Sequence, residues 1–128
     1  MEEHEKYIVT SDARGNALKG ENNYLIHLPP KIPARAFWSI LVYDNQTDLI
    51  IRNGQPWPSV FHNAKGLVIN ADGSIDVRFG PEMLRANKSN WIKTIPGKGW
   101  TMILRLYGAM DSWFDKTWQP GQFEEIPK

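Results

Sequence analysis

The sequence predicts an all-β domain, an antiparallel sandwich or jelly roll. Three observations carry this. About eight short runs alternate apolar and polar residues with the two-residue period of a strand. Nine prolines and ten glycines are scattered through the chain and punctuate those runs with turns, which disfavours long helices. Hydrophobic residues make up 41% of 128 residues, enough for a real core in a chain read as one domain over 1–128.

Taken in order, Tyr7 to Thr10 reads as a first strand, and Ser11-Asp12-Ala13-Arg14-Gly15-Asn16 as a turn. Tyr24 to Leu28 alternates Tyr24, Ile26 and Leu28 against Leu25 and His27, and Pro29-Pro30 ends it. The run Ala36 to Asp44 is the most informative. It places Ala36, Trp38, Ile40 and Val42 on one face and Phe37, Ser39, Leu41 and Tyr43 on the other. The first face is apolar; the second carries two hydroxyls and can line something polar. Asn45 to Asp48 reads as a hairpin connection into Leu49 to Arg52, followed by a long loop over Asn53 to Lys65. Leu67-Val68-Ile69 and Ser74 to Phe79 flank Asn70-Ala71-Asp72-Gly73. This predicts a hairpin, because Asp-Gly accepts the positive φ of a tight turn. A short helical turn is expected in Pro81 to Ser89, and Pro96-Gly97-Lys98-Gly99 is a turn. Trp100 to Tyr107 is the second long strand, with Trp100, Met102, Leu104 and Leu106 opposite Thr101, Ile103, Arg105 and Tyr107. Asp111 is expected to cap a short helix through Lys116, and Gln122 to Ile126 to close the sheet.

Composition narrows the function classes. A net charge of +1 gives no field that steers the chain to nucleic acid. With no cysteine there is no disulfide, thiolate nucleophile or Cys-based metal site. The acidic start Glu2-Glu3-His4-Glu5 lacks a following apolar run, and no stretch approaches the roughly 20 apolar residues of a membrane helix. A soluble, cytoplasmic protein with no membrane partner is the expectation. The sequons Asn45-Gln46-Thr47 and Asn87-Lys88-Ser89 then read as chance matches.

Several spaced motifs carry a resemblance. Asp12-Ala13-Arg14-Gly15-Asn16-Ala17-Leu18-Lys19-Gly20 precedes Tyr24, and Ala36-Phe37-Trp38-Ser39 runs into Tyr43-Asp44. Asn70-Ala71-Asp72-Gly73-Ser74, Asn90-Trp91, Leu104-Arg105-Leu106-Tyr107 and Trp118-Gln119-Pro120 follow. In this order they resemble the family catalogued as domain of unknown function 1214, over about Tyr7 to Ile126. The resemblance implies a jelly-roll β-sandwich with no settled activity. It also implies a second sandwich domain, catalogued as unknown function 1254, on the N-terminal side. The chain carries no such partner, so a site between the two would be incomplete or rebuilt by self-association. A homo-oligomer is therefore expected.

Among single residues Arg105 is the sharpest candidate. A permanent charge inside an apolar strand, on the face of Tyr107, needs a carboxylate, carbonyls or an anionic ligand. An internal ion pair or hydrogen-bond hub, for instance with Asp44 or Asp72, and contact with a ligand are both open. Ser39, Tyr43 and His27 are further ligand-binding candidates, although no nucleophile elbow surrounds Ser39. Of six tryptophans, Trp38 and Trp100 share faces with aliphatic residues and read as core. Trp57, between two prolines in a loop, reads as a platform or an assembly contact. Phe37, Trp38, Asp44, Asp72, Gly73, Asn90 and Trp91 read as structural motif residues. His4, His27 and His62 lack metal-ligand spacing, and no metal or cofactor is expected. Asp44, Asp72, Asp76 and Glu82 are the carboxylates that could pair for glycoside hydrolysis, although spacing does not single them out.

The reading that results is a non-enzymatic binding or assembly module for glycans or small polar ligands, self-associating through sheet edges or an aromatic patch. One alternative is an enzyme on a glycan or other small polar substrate, with Arg105 and Tyr107 placing the substrate and a carboxylate as acid or base. Another is a purely structural protein.

Overall fold

A computed structural model describes residues 4–55, 59–83 and 90–126 of the chain. These form nine strands and one short helix: β1 His4–Val9, β2 Asn23–Leu28, β3 Ala34–Asp44, β4 Leu49–Ile50, β5 Ser59–Phe61, β6 Ile75–Gly80, β7 Trp91–Lys93, β8 Trp100–Ala109, α1 Asp111–Phe114 and β9 Glu124–Ile126. They make two sheets. The first has the order β1-β8-β3-β4, with β5 also paired to β3; the second has the order β7-β6-β2-β9. Pairing is antiparallel except between β6 and β7, which run parallel. The expectation of a wholly antiparallel arrangement is corrected at that pair.

The core follows from strand alternation. Tyr24, Ile26 and Leu28 of β2 and Ile75, Val77 and Phe79 of β6 point inward. So do Trp38, Ile40 and Val42 of β3 and Trp100, Met102, Leu104 and Leu106 of β8, and all of them lie in one buried cluster. Ala36, expected on this face, is exposed instead. The β3–β8 register shifts between Ala34 and Phe37, so the alternation that buries Trp38, Ile40 and Val42 does not extend back to Ala36. At one end four aromatic rings lock the sheets together. Phe79 stacks on Trp100 with centroids 5.1 Å apart, and Phe123 meets both edge-on at 5.0 and 5.5 Å. Tyr24 completes the group at 5.7 Å from Trp100. Each such pair contributes about 0.5–1.5 kcal/mol beyond its buried area.

Other readings are corrected by the structure. The first strand begins at His4 rather than Tyr7, because β8 offers partners as far as Tyr107. The long loop contains β5, paired to Ser39, Ile40 and Leu41. The turn at Asn70 to Ser74 forms as read: Gly73 has φ +91°, which a residue without Cβ accepts freely, and Asn70 N donates to Ser74 O. Its first arm is not a strand. Val68 hydrogen-bonds to the Asn90 side chain rather than to a neighbouring strand. Asp111 is the first helical residue rather than the cap. Met110 holds the cap position, and the helix ends at Phe114. Trp57 and residues 84–89, within the expected helical turn, lie outside the described residues.

Candidate functional site

Strand pairing assembles one face from three strands. On the outer side of the first sheet, Ser39 of β3 lies opposite Arg105 of β8, which lies opposite Lys6 of β1. In the next row Phe37 is paired with Tyr107, and Tyr107 with His4. Arg105 Nη2 donates to Tyr43 Oη at 3.0 Å. Tyr43 is four residues beyond Ser39, about 13 Å along a strand at ~3.3 Å per residue. The two long side chains therefore reach toward each other along the sheet, over the row of Leu41 and Ile103. Arg105 Nε is buried and has no partner among the described residues.

Among the described residues no acid pairs with this charge. Among the described residues Asp44 pairs with Lys98 Nζ at 3.1 Å and accepts from Gln46 N, so the Arg105–Asp44 pairing is corrected. The Gln46 amide, then Lys98, holds the Asp44 carboxyl below its ordinary range. Asp72 is equally engaged in its own turn. Ser74 hydroxyl and amide donate to it at 2.5 and 2.8 Å and hold its carboxyl low, so the Arg105–Asp72 pairing is corrected as well.

The aromatic row beside Arg105 is continuous. His4 stacks on Tyr107 at 4.7 Å, Phe37 meets Tyr107 at 5.7 Å, and His62 stands edge-on to Phe37 at 4.7 Å. His4 Nε2 and His62 Nδ1 are buried without partners among the described residues. Neither histidine was singled out for this face from the sequence. His4 arrives by cross-strand pairing, and His62 follows β5, which was not read as a strand.

The remaining candidates lie elsewhere. His27 is on the second sheet, on the other side of the core from Ser39, so the two do not meet. Its Nδ1 lies 2.6 Å from Asp76 Oδ1, and Asn70 Nδ2 donates to Asp76 Oδ2 at 3.1 Å. Asn90 is buried and structural in its contacts. Its Oδ1 accepts from Val68 N at 2.8 Å, and its Nδ2 donates to Val68 O and Asp76 O, each at 3.0 Å. Trp91 Nε1 donates to Gly80 O at 3.2 Å. Trp38 is 6% exposed, in the core, and Gly73 completes the Asp72 turn. Among the described residues no group of three or more His, Cys, Asp or Glu is placed to hold a metal.

Likeness to a solved structure supports the fold alone. The VPA0106 protein from Vibrio parahaemolyticus superposes with a TM-score of 0.81 at 22% identity, covering 98% of this chain and 31% of that one. An uncharacterised protein from Burkholderia cenocepacia matches with a TM-score of 0.48 at 15% identity, over 94% of this chain and 34% of its own. The chain thus spans about a third of the length of these solved structures. No curated protein matches it. The family model "Protein of unknown function (DUF1214)" matches residues 3–111, and the chain belongs to that family.

Proposed function

We propose that this domain is a binding module that takes a small polar ligand with an acidic group on the outer face of its first sheet. One observation carries the reading: the half-buried Arg105 guanidinium is met by a phenol and, among the described residues, by no carboxylate. Arginine presents five N–H donors in a planar fork suited to a carboxylate or phosphate. The face around it carries His4 and Lys6 and, at its paired positions, no acid. An acidic sugar fits this chemistry, with its ring on Tyr107 and Phe37 and its carboxylate on Arg105. The architecture behind the face reads as a sandwich of jelly-roll type. The sequence β1-β8-β3 places the first strand beside the eighth and the eighth beside the third, with one core shared by both sheets.

The test is an NMR titration of the intact chain with glucuronate and glucose at low salt. Glucuronate is expected to shift the Arg105 side-chain and Tyr43 resonances, and glucose to shift them far less. Equal response to both sugars, or no response to glucuronate at this face, contradicts the reading.

A second reading, self-assembly, rests on the edges of the same sheet. Ile8 on β1 is 58% exposed, and Leu49 on β4 is 64% exposed. Edge strands with large apolar side chains favour pairing with another chain. Light scattering across a concentration series tests this, and a monodisperse monomer throughout removes it.

A further inference from the structure

Beyond the Arg105 face lies a cavity of about 310 Å³ at the start of β3. Its apolar walls include Ile32, Phe37, Trp38 and Ile75, and its ionisable groups are Arg35 and His62. None of the described residues that border it is a carboxylate. His62 Nδ1 is buried without a partner among the described residues, while its ring is fixed edge-on against Phe37. Arg35 is exposed at this site.

We propose that this cavity binds a compact organic anion: a flat apolar ring carrying a carboxylate. Volume and charge agree on this class. A dry cavity of about 150 Å³ holds benzene, so roughly twice that volume accommodates a ring with its acid group. Apolar walls with a few convergent polar groups are the usual build of a small-ligand site. Arg35 supplies a permanent positive charge with bidentate geometry for a carboxylate. Among the described lining residues there is no acid, so Arg35 meets the ligand's negative charge without competition from them. Phe37 borders both this cavity and the Arg105 face, but the charged groups of the two sites differ, so each stands or falls alone.

The test uses benzoate against benzamide, which has the same shape and no charge. Each is titrated into the intact chain to about 20 mM, which detects millimolar dissociation constants, while ring resonances of Phe37 and His62 are followed. Benzoate is expected to shift both. Arg35→Gln, a change at an exposed position, is expected to weaken benzoate roughly tenfold, the scale of a charge-assisted contact, and to leave benzamide unchanged. Ala36→Phe, also at an exposed position, fills the mouth and is expected to abolish the shifts. The proposal is overturned if benzoate shifts neither ring, if benzamide binds as well as benzoate, or if Ala36→Phe leaves benzoate binding intact.

Discussion

The outer faces of the two sheets handle polar groups in opposite ways. On the second sheet and the turn that leads into it, His27 is matched to Asp76, Asp76 to Asn70, and Asp72 to Ser74. On the first, Arg105 finds one phenol, and His4 Nε2, His62 Nδ1 and Arg105 Nε are buried without partners among the described residues. Both faces are built on the same kind of alternating strand over the same core. The difference shows that polarity on an outer face is not itself the sign of a site. A closed network satisfies itself and needs no ligand; an open one holds donors whose desolvation is uncompensated.

The largest effect tests what the faces share. Trp38→Ala removes a core side chain from the strand that carries Ser39 and Tyr43 on its other side, and is expected to cost about 3–5 kcal/mol. Denaturant unfolding checks it, and a near-neutral value would place Trp38 outside the core. Next comes the closed network. Asn90→Ala strands Val68 N, Val68 O and Asp76 O, and is expected to cost about 2–3 kcal/mol by the same measurement. Loss of less than about 0.5 kcal/mol would mean that water replaces Asn90 freely.

A smaller, pH-dependent effect follows from Asp72. Its carboxyl is held below the ordinary value of 3.8 by the Ser74 hydroxyl and amide. A depressed folded pKa gives stability that is present above the unfolded value and lost as pH falls through the folded one. Asp72→Asn is therefore expected to be less stable than wild type at neutral pH, with the gap closing as pH drops below 3.8. Thermal unfolding from pH 7 to pH 2 checks this; a gap independent of pH contradicts it.

Much of this contrast was legible in the sequence, and the part that was not has a physical cause. β2, β8 and the part of β3 beyond its irregular start alternate with a two-residue period, so their faces, and with them Ser39, Tyr43, Arg105 and Tyr107, could be assigned directly. β5 and β7 have three residues each, too few for a period to show. The partners of Arg105 were misjudged because sheet membership is set by long-range pairing. Asp44 lies on the same strand as Tyr43 but on its inner side, where it meets Lys98. Asp72 lies in the turn that leads into the second sheet. His4 joined the face through strand register, and His62 reached Phe37 just beyond β5, neither of which a local pattern encodes.

The most direct measurement is the smallest in expected size: the unfolding free energy of Arg105→Met. Methionine keeps the stem that packs along the sheet and removes the charge. If Arg105 is held ready for a ligand rather than serving as an internal hub, the variant should match wild type within about 0.5 kcal/mol or exceed it, while losing its response to glucuronate. A loss of about 2 kcal/mol or more would show that the guanidinium holds the fold together, and would contradict the account of this face as an open site.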